Sequence, residues 1–342
     1  VILHSSRIAG TGSAFPERVV TNEELCRWMD KFPGEPVEGF SAEWILSVTG
    51  IEKRHFAAPG ETVSELGARA ARQAMEAAGI TADAIDGILV ATCTPDQPMP
   101  AAATAVQRKL GSKRAFAFDL NAACSGFHHA WATAHAMIAS GQARTLLVIG
   151  ADVLSSITDF TDRKSAILFG DGAGAAILTR SESTETPRFI LSADGAGTEA
   201  LQIPAGGSAR PFYDREPFSL PKLTYSETRM QMRGHEIFKT SIRTMVDLAS
   251  RLLAECGKTA ADIDFVVPHQ ANLRILERVA KLQKIPLERF ILNIAERGNT
   301  SAATVPTALD QGIRQGKIKR GHRLLIPVFG AGVTAGAAIV VY

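Results

Sequence analysis

The chain carries one pattern twice. Residues 77–86 (AAGITADAID) lead into the apolar run GILVAT, and residues 255–264 (ECGKTAADID) lead into FVVPHQ. Gly79 and Gly257 stand 178 positions apart (257 − 79 = 178). Further on, residues 144–150 (RTLLVIG) resemble residues 322–328 (HRLLIPV) at the same offset. Two matches at one spacing are the mark of a duplicated unit, and a chain so built folds as two similar halves. The polar stretch RSESTETPR (180–188) has loop composition and marks the boundary. The expected halves are 1–182 and 183–342.

Each half reads as alternating helix and strand. Thr62, Val63, Ser64 and Glu65 form the pattern of a capping box, in which the hydroxyl and the glutamate each take an orphan amide. The Ala-rich SELGARAARQAMEAAG follows with an apolar face at helical spacing, and Gly79 ends it. GILVAT, AFAFDL, RTLLVIG and AGAAILT, then DFVVPH, RLLIPVF and GAAIVVY, are short apolar runs between turn residues. Such runs suit strands buried on both faces, in mixed or parallel sheets covered by helices. Two packed α/β halves related by a pseudo-twofold are expected, with a site between them.

Composition narrows the class. The formal charge is +2, which leaves no basic footprint for nucleic acid. No run of about 18 apolar residues predicts a membrane span. The first residues lack the basic-then-apolar order of a signal peptide. Four scattered cysteines (Cys26, Cys93, Cys124, Cys256) form no C-x-x-C pair. That argues against a disulfide framework or zinc site and fits a reducing cytoplasm.

Candidate chemistry centres on LNAACSGFHHA (120–130). Cys124 falls between the strand AFAFDL and a helical pattern, where free amides and the helix dipole favour a thiolate. The competing reading is a small buried hydrophobe. His269 ends the strand DFVVPH, a common place for functional groups in α/β sheets. Asn299, in RGNTS after the strand-like FILNIA, reads by itself as a cap or loop residue. The repeat offset puts Ala302 at the position of Cys124, so Asn299 and Cys124 lie at equivalent helix starts and His269 on the neighbouring junction. The glycine run FGDGAGA (169–175) lacks the Gly-Lys-Ser/Thr of a phosphate loop and suits close packing. The amides of FGAGVT (329–334) could face a developing oxyanion, or the turn could simply pack. His128 and His129 read as packing or surface residues.

Together these residues resemble the β-ketoacyl-acyl-carrier-protein synthase III family of thiolase-fold condensing enzymes. The likeness runs from TGSAFPERVVTNEEL to VFGAGVTAGAAIVVY and includes Ala-Cys-Ser-Gly, TDRKSAILFGDGAGA, MRGHEIFK, HQAN and GNTSAA in family order. It implies a thiolase-like α/β fold in five αβαβα layers, and an acyltransferase. Cys124, His269 and Asn299 would be the catalytic triad, with the backbone amides of Cys124 and Ala331 as oxyanion hole. The implied reaction is decarboxylative condensation of an acyl-coenzyme A, through acyl-Cys124, with malonyl-acyl-carrier protein, in fatty acid or related secondary-metabolite synthesis. The alternative is acyl transfer to a non-malonyl acceptor. No metal or redox cofactor is implied.

The resemblance also assigns binding roles. Trp44 would stack on the adenine of coenzyme A, with Arg163, Arg274 and Asn272 as further contacts. Arg274, Arg278 and Lys281 share a helix face suited to an acidic carrier protein. Met99, Phe169 and Leu201 would line the acyl pocket, Met99 across the interface of a homodimer. The expected setting is cytoplasmic. Three departures stand out: Val48 where the family has a basic residue, the insertion-like segment 29–40, and Ala331 in place of a glycine.

Overall fold

The computed structural model describes residues 4–32, 34–212 and 223–342. Two sheets organise them. The first has spatial order Ser5–Ala14, Gly172–Ser181, Thr145–Asp152, Gly87–Ala91, Phe116–Leu120. The second runs Arg188–Ala193, Thr334–Val341, Arg323–Gly330, Phe265–Val266, with a single bridge from Val266 to Phe290 beyond it. The two orders match strand for strand.

The repeat survives in the register. Gly87 pairs with Leu146, and 178 residues on Phe265 pairs with Leu324, both in parallel. The Asp86 carboxylate accepts the amides of Arg144 and Thr145, and that of Asp264 accepts the amide of Arg323. The helices Gly126–Ala139 and Thr304–Arg314 start at the same offset.

Side-chain alternation shows why the strand runs are apolar throughout. Leu89, Leu146 and Val148 of the first sheet and Leu324, Ile326 and Val328 of the second face one shared core. That core holds the helices Gly126–Ala139 and Thr304–Arg314, through Phe127, Trp131, Val305 and Leu309. The intervening residues face outward. Ile88, Val90, Leu147 and Ile149 pack under the helix Val63–Ala78. Val266, Leu325 and Ala337 pack under Gly234–Glu255 and Leu273–Gln283. Helix, sheet, helix, sheet, helix: these are the five layers.

Two local expectations change. Thr62 caps its helix, but the Glu65 carboxylate pairs with Lys109 Nζ at 2.8 Å, and Asp96 takes the Ser64 amide. The closed capping box is Thr259 with Asp262, in the second half. FILNIA makes one bridge at Phe290, and its end is already helix, Ile294–Arg297. FGDGAGA packs as expected: a Cβ on Gly174 would meet Pro306 and Thr307, and one on Gly170 the Arg297 carbonyl.

Candidate active site

The site forms where the two copies of one turn meet. In the first half the strand Phe116–Leu120 is followed by a 3-10 turn, Ala123–Ser125, and then the helix Gly126–Ala139. In the second, the turn Ser301–Ala303 leads into Thr304–Arg314. Asn121 Oδ1 accepts the Ala123 amide at 3.1 Å, and 178 residues on Asn299 Oδ1 accepts the Ser301 amide at 2.9 Å. Ala123 and Ser301 both adopt positive φ, 46° and 53°. Non-glycine residues rarely do so, and such strain persists where the surroundings fix it. The strain turns the next residue inward: Cys124 in one copy, Ala302 in the other.

Buried Asp152 ties the copies together. Its Oδ1 accepts from Thr92 Oγ1, Thr94 Oγ1 and the Cys93 amide, and its Oδ2 accepts the Ala302 amide at 3.2 Å. Gly150 lets the halves close, since a Cβ there would drive into the Ala302 carbonyl.

Cys124, His269 and Asn299 line one cavity of about 230 Å³. Cys124 belongs to the 3-10 turn ahead of the helix rather than to its first α-turn. Burial pushes its thiol up to about 11, with the Ser301 hydroxyl acting the other way. The expected helix-start depression is thus overridden by desolvation. His269 is buried, and that burial drives its imidazole down to about 3, so the ring is neutral. Its Nδ1 lies 2.8 Å from Thr304 Oγ1, which also bonds the Ser301 carbonyl at 2.9 Å. This anchor turns the other edge of the ring, Nε2, to the cavity. Asn299 bridges the segment around Phe169 on both sides, Asn299 N donating to the Leu168 carbonyl and Gly170 N to the Asn299 carbonyl. With Oδ1 spent on Ser301, its Nδ2 donors remain for a ligand.

Ala331 lines the cavity beside Cys124, without positive φ, so its methyl is unstrained. Neither the Cys124 nor the Ala331 amide takes part in the turn and loop hydrogen bonding of the described residues. Gly330 brings the two together, since a Cβ there would lie 2.9 Å from the Cys124 nitrogen.

Behind Cys124 a second cavity of about 430 Å³ opens, with Leu154, Ile157, Phe169, Leu201 and Met230 in its wall. Phe169 and Leu201 line both cavities. Met99 is 82% exposed in the single chain and borders neither of its cavities. Trp44 and Asn272 line the outer cavity, but the Asn272 amide is bound to the Val48 carbonyl at 3.0 Å. Arg163 lies outside that cavity, held by Asp30 at 3.2 Å and the Met29 carbonyl. Arg274 is bound to the Ser47 carbonyl and Glu277. Sequence reasoning did not single out Ser301, Thr304 or Cys93. The 178 offset points to the first, because it maps Ala123 onto Ser301.

Two sheet-and-helix halves, joined over a partly buried cysteine in the turn before a helix, have the architecture of the thiolase-fold condensing enzymes. Family models for 3-oxoacyl-acyl-carrier-protein synthase III match residues 118–198, and for its C-terminal part residues 253–342. A β-ketoacyl-acyl-carrier-protein synthase III of Xanthomonas campestris is 42% identical over 337 residues, covering 98% of each chain. The crystal structure of the synthase III of Aquifex aeolicus superposes with a TM-score of 0.86 at 36% identity, covering 98% of this chain and 100% of that one. The priming β-ketosynthase of the R1128 polyketide pathway superposes at 0.88 with 33% identity, covering 99% and 96%. The chain belongs to the β-ketoacyl-acyl-carrier-protein synthase III family.

Proposed function

We propose that the protein condenses an acyl-coenzyme A starter with malonyl-acyl-carrier protein, through acyl-Cys124, to give a β-ketoacyl-acyl-carrier protein for fatty acid synthesis. The observation that carries the assignment of roles is the convergence of Cys124, His269 and Asn299 on one cavity with an acyl-sized chamber behind the sulfur.

In the first half-reaction the Cys124 sulfur attacks the thioester carbonyl. A thiol near 11 is protonated at neutral pH, so proton loss accompanies attack. The proton ends on the leaving coenzyme A sulfur, and His269 stays neutral throughout. The amides of Cys124 and Ala331 hold the tetrahedral oxyanion. In the second, the malonyl thioester sheds carbon dioxide. Asn299 Nδ2 and His269 Nε2–H, with Thr304 then donating to Nδ1, hold the enolate oxygen. The carbanion attacks acyl-Cys124, and the released sulfur regains a proton from solvent. Thiol, imidazole and amide groups carry every step, so the reading calls on no metal or redox cofactor.

Several finer readings go with it. The chemical division follows the halves 1–182 and 183–342, with the nucleophile in the first and His and Asn in the second. Trp44, Asn272 and Arg274 border the donor's path, and the Arg274, Arg278 and Lys281 face receives the carrier protein. A homodimer would cover the edge strand Phe116–Leu120, where Phe116 is 37% exposed, and would put Met99 against the partner's acyl chamber. No helix among the described residues is long and apolar enough to cross a membrane; the setting proposed is the cytoplasm.

The test separates the half-reactions. Intact protein with acyl-coenzyme A should gain the acyl mass on Cys124, and adding malonyl-carrier protein should release carbon dioxide. Cys124→Ala should abolish loading. Asn299→Ala should keep loading and slow condensation by roughly 10²–10³-fold, the usual loss for one oxyanion donor. Loading without carbon dioxide release would sink the condensing reading.

A further inference from the structure

The segment that looked like an insertion ends at Phe40, next to Trp44 of the outer cavity. Its aromatic end, Phe40, touches two groups at once. The Phe40 and Trp44 ring centroids lie 5.9 Å apart at 50°, and the Arg163 guanidinium carbon sits 4.9 Å above the Phe40 ring. Arg163 has no freedom left: it is 14% exposed and bonds Asp30 and the Met29 carbonyl. The segment itself is pinned. Phe32 stacks on Phe160, a Cβ on Gly34 would strike the Thr161 carbonyl, and Ser41 caps the helix Ala42–Thr49 immediately after Phe40.

Trp44 borders the outer cavity that reaches Cys124. A pantetheine arm threading that cavity leaves the purine and phosphates of coenzyme A outside it, beside Trp44. An aromatic face paired with a guanidinium is what a purine stacks on. Here a phenylalanine of the same chain already holds both.

Resting on the acyl-coenzyme A reading above, we infer that Phe40 occupies the landing place of the donor's purine. Coenzyme A thioesters bind by displacing its ring, and the enzyme reads its donor through the pantetheine arm more than through the nucleotide. Phe40 is thus an internal competitor that sets donor specificity without touching the reacting atoms.

The experiment compares one acyl group on two carriers, coenzyme A and pantetheine, using whichever acyl group loads Cys124 fastest. Wild type, Phe40→Ala and Phe40→Leu are assayed for KM with each thioester. Leucine keeps the apolar anchor and removes the ring, so it separates loss of the competitor from loosening of the segment. Both variants should lower the ratio of the KM for acyl-coenzyme A to that for acyl-pantetheine by roughly threefold to tenfold, the scale of one aromatic contact. Adenosine 3′,5′-bisphosphate should become a stronger competitor of acyl-coenzyme A by a similar factor. A ratio unchanged in both variants, with wild type loaded by both thioesters, overturns the role of Phe40 and leaves the enzymatic reading standing. Loading by neither thioester overturns the donor reading and the inference with it.

Discussion

At Cys124 two effects of opposite sign meet, and their sizes decide the resting state. A turn at a helix start offers amides and a partial positive charge, which favour a thiolate. Enclosure by the two halves removes water, which favours the thiol, and Asp152 adds to that through its charge. Burial wins, and the group rests near 11. Alkylation by iodoacetamide should therefore keep accelerating with pH well beyond 9, nearly tenfold per unit, because only the thiolate reacts. A rate already level at pH 7 would show a depressed thiol instead. Ser301→Ala removes the one hydroxyl that opposes the burial and should slow alkylation at any fixed pH below the plateau. His269 follows the same logic with the opposite charge type. The cysteine, the histidine and the asparagine were legible in the sequence as residue types at strand and helix ends. Their protonation was not, because it depends on how much water the folded halves exclude.

At the scale of the element, glycines tell where backbones touch. Gly150 lies in its strand against the Ala302 carbonyl and Phe127, with no flexible atom to give way. Gly150→Ala should cost stability at the upper end of about 1–3 kcal/mol for overpacking. It should also lower condensation, because it pushes on the turn that follows Asn299. Gly195→Ala has open space around its Cβ and should leave the melting temperature within about a degree or two. Thermal melts of the two variants side by side decide the matter; equal losses would mean that the contact at Gly150 is not what holds the halves in place. Helix ends show a different lesson. The TVSE pattern is a local signal and half of it holds, since Thr62 does cap. Its glutamate reaches Lys109, a residue 44 positions away that local sequence does not bring into view. FILNIA likewise has strand composition but gains only one bridge, because the sheet edge it meets is two residues long.

Over the whole molecule, buried ionisable groups make stability depend on pH. His128 and His269 are pushed from 6.5 down to about 3 by burial, and His55, His129 and His135 are lowered for the same reason. Between pH 6.5 and 3 the unfolded chain takes up protons that the native one does not, so stability is lost as pH falls through that window. Asp171 acts in reverse. Burial raises its carboxyl from 3.8 to about 6, so the native state gains a proton first and acidification between those values favours folding. One carboxyl is outweighed by two deeply shifted histidines. The melting temperature should fall steadily from pH 6.5 towards 4, and a flat or rising profile would refute this balance. Architecture on this scale was visible early. A repeat of 178 residues with apolar runs in both copies already requires two sheets buried on both faces, because that pattern has no other way to hide its side chains. The division of labour between the copies was also written there, as Cys124 opposite Ala302. What only the tertiary structure decided lies between segments far apart in the chain. Burial silences the thiolate, Asp152 ties Cys93 to Ala302, and Phe40 takes up Trp44 and Arg163. Each rests on a distance between residues that no local pattern encodes, and each sets electrostatics or access rather than fold.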